Sequence, residues 1–351
     1  VTITGIEGWA LDLPMHRPFV TSTSRLTRRR LAVIRLRSGT VTGWGEAAPI
    51  PGHSREDFAS VWQTLKDGAG AGIGAAAAGF AAATTGAAGA ALRAAAADVA
   101  ARRHNRPLWA DLGGDRDPPV SAAVGVDDHG RPDRAELAAA IDAGYRHVKL
   151  KVTPETTLDE LGRVVAAHPE VSFSGDANGG ANPELLAGID DLNLEFIEQP
   201  LPAADLVAHA ELRRRIRTPV ALDESADSEV AIASVLAGAA ADIVVLKVGR
   251  FGPLATVRIA GQVAAAGFRC RLGGMVESGI GKAHSVAVAS LPLFDGAADL
   301  TASRHFFPRD LVRPEWRIEA GRVRRPSGPG IGVVVDEPLL DQLAFDRFAT
   351  D

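Results

Sequence analysis

Charged residues stand at the ends of successive apolar runs in this 351-residue chain: Lys149-Leu150-Lys151, Gly175-Asp176-Ala177-Asn178, Glu198-Gln199-Pro200, Asp223-Glu224 and Lys247. A lone carboxylate or ammonium buried after an apolar strand is costly, so such charges persist where they are paired or bind something. Taken singly, each carboxylate could be a helix cap or a surface charge. Lys149 and Lys151 could likewise be a water-exposed pair on an edge strand. Recurrence in consecutive units argues against that reading for the set. Asp176, Glu198 and Asp223 together offer hard oxygen ligands suited to Mg2+, with Mn2+ as a substitute, and leave positions for water and substrate. Lys151 and Lys247 are then the acid–base candidates. A lysine works as a base only when its pKa falls, and nearby positive charge promotes that. Lys149, two residues from Lys151 on the same strand face, and the metal would both supply it. Asn178 and Glu224, beside two of the carboxylates, are supporting candidates.

Side chains so far apart in sequence meet only if their elements share one end of one scaffold. Apolar runs lie at 120–126, 147–152, 171–176, 194–198, 219–223, 242–247 and 268–272, with a weaker one near Leu293. Amphipathic segments such as 133–143, 185–192, 206–216 and 228–236 separate them. Strand–helix alternation at a repeat of about 25 residues predicts parallel strands joined by crossover helices. Eight such strands fit an α/β fold closed into a (β/α) barrel, whose strand C-termini open on one face where catalytic residues gather. The expected division is 1–118, a barrel over 119–304, and a tail over 305–351. The first region opens with strand-like alternation at 1–13, 31–37 and 41–46, then turns alanine- and glycine-rich over 68–101. Read as helices, that stretch suits close packing of backbones. A phosphate-cradling role fails because no strand leads into these glycines and GxGxxG is never completed. In the tail, strand-like pieces at 316–323 and 333–336 are expected to return to the first region as an α+β domain.

Composition narrows the classes. With 46% hydrophobic and 23% charged residues the chain reads as a soluble globular protein, and a net charge of -5 argues against nucleic acid or an anionic membrane as partner. The runs Arg28-Arg29-Arg30 and Arg213-Arg214-Arg215 are expected to be solvated faces. A single cysteine, Cys270, excludes an internal disulfide framework and reads as a buried strand residue. No basic segment followed by an apolar core opens the chain, and no membrane-length apolar run occurs, so a cytoplasmic location is expected. The start at Val1 is expected to reflect processing or trimming.

Lys-x-Lys, Asp-x-Asn, Glu-Gln-Pro, Asp-Glu-Ser and a lysine on the next strand resemble the muconate-lactonizing branch of the enolase superfamily. The resemblance spans nearly the whole chain, including Gly43-Trp44-Gly45-Glu46 and the segment 107–114. More narrowly, Lys247-Val248-Gly249-Arg250, Gly273-Gly274-Met275-Val276-Glu277-Ser278-Gly279 and Asp299-Leu300-Thr301-Ala302-Ser303 resemble the o-succinylbenzoate synthase / N-succinylamino acid racemase family, as do 306–310 and 326–332. It implies a (β/α)7β barrel under an α+β cap, Mg2+ on Asp176, Glu198 and Asp223, and Lys151 facing Lys247 across a small carboxylate substrate. Arg250 resembles a feature of racemase-capable members and could equally be a surface pairing residue. Glu277 could shape the site through hydrogen bonds or be structural. The resemblance implies dehydration to o-succinylbenzoate, a step of menaquinone biosynthesis, or racemization of N-succinylamino acids. Dipeptide epimerization is disfavoured because Asp295–Asp299 lacks the expected Asp-x-Asp pair, and muconate cycloisomerization is also less favoured. An inactive binding barrel would not need both lysines and all three carboxylates, and a Schiff-base lyase leaves the carboxylates unexplained. Relatives are often dimers or octamers, which leaves a homo-oligomer open. The 18–30 and 49–57 loops, which close over substrate in the family, match no assignable pattern.

Overall fold

A computed structural model describes residues 2–20, 25–70 and 84–350. Residues 71–83 of the alanine- and glycine-rich stretch, 21–24 of the 18–30 loop, Val1 and Asp351 lie outside the described residues. Strands β1 (Gly5–Val20), β2 (Arg25–Ser38) and β3 (Val41–Ala47) form an antiparallel sheet with the C-terminal β16 (Ala344–Thr350), in the order β16-β1-β2-β3. Alternation along β2 sorts its side chains by period two. Leu31 and Val33 join the barrel-side core, whereas Ala32, Ile34 and Leu36 pack with the helices Phe58–Gly70 and Gly86–Arg103. The same alternation overturns the expectation of a solvated arginine run. Arg28 and Arg30 reach Asp12 at the surface, while Arg29 turns inward and is 1% exposed.

The small residues of helix Gly86–Arg103 allow the close approach expected of them. A Cβ on Gly43 would lie 2.5 Å from Ala95 O, and one on Gly45 2.0 Å from Ala91 O, so β3 touches the helix backbone only because both are glycine. Asp98, buried in that helix, accepts from Trp44 N, Ile331 N and Arg102 Nε and ties the cap to the tail.

The barrel strands are β4 (Val120–Val124), β5 (His147–Lys151), β6 (Ser172–Asp176), β7 (Ile197–Glu198), β8 (Val220–Leu222), β9 (Ile243–Leu246), β10 (Arg269–Leu272) and β11 (Ala298–Asp299). They form one parallel sheet in the order β10-β9-β8-β7-β6-β5-β4-β11. β11 nearly closes it against β10 through Asp295 N to Cys270 O and Arg271 Nη1 to Ala297 O. Helices follow β4 through β10, giving the (β/α)7β order, and side chains of Asp133, Thr157, Asn182, Asp205, Ser228 and Ser278 cap their first turns. The expected eighth strand near Leu293 is misplaced. Residues there form a turn whose Leu291 and Phe294 are buried, and the real strand is a two-residue step too short to show alternation.

In the tail, β12 (Val312–Arg313) pairs with β15 (Val334–Val335), and β13 (Ile318–Glu319) pairs with β14 (Arg322–Val323). The second pair abuts the start of β4, with Val120 N donating to Gly321 O and Val323 N to Pro118 O. The segments 316–323 and 333–336 therefore lie outside the cap sheet, and β16 is the piece that joins it. Among the described residues no helix is long and apolar enough to cross a membrane.

Candidate active site

Alternation on β5 turns Leu150 into the packed helix layer and both Lys149 and Lys151 inward, each 5% exposed. The parallel register sets Lys151 beside Asp176 and Asp176 beside Glu198. Asp223 directly follows β8 and Lys247 directly follows β9. All the sequence-predicted residues converge on the open end of the barrel, and their charges interlock. Lys151 Nζ donates to Asp176 Oδ2 at 2.7 Å and to Asn178 Oδ1 at 2.9 Å. Lys149 Nζ lies 2.8 Å from Asp299, 3.1 Å from Asp176 and 3.2 Å from Glu198. Lys247 Nζ lies 2.7 Å from Asp223 Oδ2, and Arg250 Nη1 lies 2.8 Å from Asp223 Oδ1. Glu277 lines the same cavity and accepts from Met275 N at 2.9 Å.

The electrostatics follow from this crowding. Burial acts to lower Lys149, but Asp176, Asp299 and Glu198 outweigh it and hold the ammonium well above its usual range. Lys149 is thus a paired cation among three carboxylates. Burial likewise opposes ionisation of Asp176 and Asp223, yet their cationic neighbours keep both below the usual carboxylate range. Glu198 goes the other way. Burial and the charges of Asp176 and Asp223 push it up to about 8, despite Lys149 and Lys247.

Three residues at this site escaped sequence reasoning. His53, on the cap segment 49–57, bonds Lys247 Nζ at 2.7 Å through Nε2 and Glu224 Oε1 at 3.1 Å through Nδ1. Periodicity carries no signal for it, since only the docking of one domain on another brings it here. Asp299 sits at the end of β11, which sequence alternation placed too early. Lys282 lies buried on helix Gly279–Ala289, lines the cavity and donates to Glu277 O. A lysine amid small and apolar residues was its available signal. The cavity measures about 40 Å³ and is lined from the cap by Phe19, Ile50 and His53. The two loops whose roles were unassigned in sequence thus both reach the site.

Whether a divalent cation fits is tested by the donor set. Asp176, Glu198 and Asp223 are 1%, 3% and 1% exposed, come from neighbouring strands, and leave Glu198 short of compensating charge. Buried oxygen donors in that state fit a hard cation. Among the described residues the donor group whose ligand atoms all lie within 4.8 Å of one another is His53, Asp223 and Glu224, which shares Asp223 with that trio.

Comparison with known proteins gives the class first. The family profile described as "Enolase C-terminal domain-like" matches residues 133–339, and "MenC, N-terminal domain" matches residues 5–69. The chain belongs to the enolase superfamily, whose members use a divalent metal, typically Mg2+. Individual relatives narrow this further. An o-succinylbenzoate synthase from Geobacillus stearothermophilus is 33% identical over 361 residues, covering 97% of this chain and 94% of that protein. An N-succinylamino acid racemase from Amycolatopsis sp is 34% identical over 359 residues, covering 97% of each. A solved enolase-superfamily member from Listeria innocua matches with a TM-score of 0.85 at 26% identity, covering 99% of this chain and 98% of that one. Two activities at nearly equal identity mean that similarity alone does not choose between them.

Proposed function

We propose that the chain removes the proton α to a carboxylate, and that its reaction is the dehydration of 2-succinyl-6-hydroxy-2,4-cyclohexadiene-1-carboxylate to o-succinylbenzoate. The observation that carries the chemistry is the buried pair Lys151 and Lys247, each held at the open end of the barrel by its own carboxylate. Asp176, Glu198 and Asp223 would hold Mg2+, with Mn2+ as a substitute. When bound, the cation supplies positive charge that offsets the second negative charge developing on the substrate carboxylate. Lys151, in its neutral form and released from Asp176, takes the α-proton. Lys247 stays cationic and stabilises the enediolate electrostatically; the β C–O bond then breaks as the ring double bond forms, and the hydroxyl leaves as water carrying the proton that Lys151 took from the α-carbon. Asn178 holds Lys151 from the side, Arg250 holds Asp223, and Lys149 anchors the carboxylate cluster.

A second reading has its own support. The two lysines are matched in burial, 5% and 4% exposed, and in their carboxylate partners, which suits proton removal at one face and delivery at the other. Racemization of N-succinylamino acids is that reaction. The deciding experiment is kcat/KM for Mg2+-dependent dehydration, with Lys151→Ala as control. Efficient turnover lost in the variant supports the synthase. No turnover rejects it, and racemization of N-succinylamino acids is then assayed on the same preparation.

A further inference from the structure

The two lysines are held differently. Lys151 has its hydrogen-bonding partners, Asp176 and Asn178, on the barrel. Lys247 bridges domains, with Asp223 at 2.7 Å from the barrel and His53 Nε2 at 2.7 Å from the cap. His53 is itself well fixed. Ser54 Oγ accepts from Ile50 N at 2.9 Å, Arg55 pairs with Asp227 on the barrel, and Glu56 accepts from Ala87 N at 2.8 Å.

Polarity settles how these contacts connect. An ammonium can only donate, so His53 Nε2 accepts from Lys247, and Nδ1–H then donates to Glu224 Oε1 at 3.1 Å. The same Glu224 oxygen accepts from Asn178 Nδ2 at 2.9 Å, and Asn178 Oδ1 accepts from Lys151 at 2.9 Å. Donors and acceptors match along the whole chain Lys151–Asn178–Glu224–His53–Lys247, with Glu224 accepting from both arms. The arm to Lys151 is built of barrel residues. The arm to Lys247 passes through the cap.

We propose that His53 is a positioning residue for Lys247 and not for Lys151: its Nε2, which also accepts from Arg250 Nη2 at 3.1 Å, gives a cap hydrogen bond to the lysine on one face of the substrate, whereas the cap meets the lysine on the other face through the Phe19 ring, 5.5 Å from Lys151 Nζ. The proposal rests on the racemization reading above, in which Lys247 as well as Lys151 transfers a proton. Its consequence is asymmetric. Losing the acceptor at Nε2 lets the Lys247 ammonium swing on its four-carbon stem, while Lys151 keeps both partners. A displacement of about 1 Å of a reacting group costs on the order of 100-fold in rate when alignment is lost, and a tethered lysine loses part of that.

The test is α-proton exchange in D2O, followed by NMR, on each enantiomer of an N-succinylamino acid with the Mg2+-loaded protein. Lys151→Ala and Lys247→Ala assign each enantiomer to its lysine. His53→Phe keeps the ring volume without an acceptor, and His53→Gln keeps an acceptor within reach of Lys247. In His53→Phe, exchange through Lys247 is expected to fall about 10-fold or more, with exchange through Lys151 within about 3-fold of the unaltered protein. His53→Gln is expected to recover most of the loss. Equal falls for both enantiomers, no fall for either, or no recovery in His53→Gln overturns the proposal while leaving the racemization reading intact. Absence of exchange in the unaltered protein overturns the racemization reading and this proposal with it, while dehydration stands or falls on its own assay.

Discussion

Replacing Arg29 by methionine should destabilise the protein far more than any surface arginine, although it sits in a run of three arginines. The Arg29 guanidinium donates to Ala48 O and Pro49 O on the cap and to Met275 O and Val276 O on the barrel. Burial lowers it to about 10, against the opposing pull of Glu46 and Glu277, so it remains cationic at neutral pH. Hydrogen bonds from a charged donor contribute roughly 1.5–3 kcal/mol each, and removal of the cation returns part of that as relieved desolvation. The net loss is about 3–5 kcal/mol, since carbonyls from both domains are left without donors. An unfolding entropy of roughly 2.1 cal/mol/K per residue, about 0.7 kcal/mol/K for this length, converts the loss to a fall in Tm of about 4–7 °C. Thermal unfolding followed by circular dichroism and tryptophan fluorescence measures it, with Arg29→Lys expected in between. Val276 and Ile50 line the cavity, so kcat/KM should also fall at temperatures where the variant is folded. A fall in Tm below about 1 °C would refute the reasoning, because water would then be satisfying the carbonyls.

Other consequences are independent of that interface. Mg2+ at 100 times its Kd should stabilise the protein by about 2.7 kcal/mol, and Asp223→Asn should abolish most of that rise in a thermal-shift titration. If Asp223→Asn keeps the full Mg2+ response, Asp223 is not a ligand. Burial pushes the Cys270 thiol up to about 12, so an aromatic disulfide reagent at pH 8 should label it only after denaturant is added. Prompt labelling of the native protein would contradict the burial. Burial works to raise Glu195, but His147 at 2.9 Å and Arg271 at 2.5 Å outweigh it and hold its carboxyl at about 2 instead of the ordinary 4.5. A depressed carboxyl contributes stability above its unfolded value and loses it on acidification. The Tm advantage over Glu195→Gln should therefore be full above pH 4.5 and shrink as pH falls toward 2, and a gap that stays constant with pH would refute the assignment.

Much of the barrel was legible because it is written locally. Seven of the apolar runs fall on strands β4 to β10, and their terminal charges project into the open end, since a parallel register and period-two alternation are repeated from unit to unit. Lys149, Lys151, Asp176, Glu198, Asp223 and Lys247 could be selected in advance because a charge after an apolar strand is conspicuous and costly wherever it occurs. β11 was misplaced because two residues carry no periodicity. Tertiary structure alone decided the rest. Arg29 looks like its exposed neighbours until β2 is laid between two layers, when alternate residues face opposite partners. His53 joins the site because the cap docks on the barrel, an event with no trace in the spacing around residue 53. Which charges neutralise Lys149, and why Glu198 is left with too little compensation, likewise depend on distances across strands. Strand endings follow from neighbours in sequence, whereas pairing across the barrel mouth follows from closure of the sheet and from the domain laid over it.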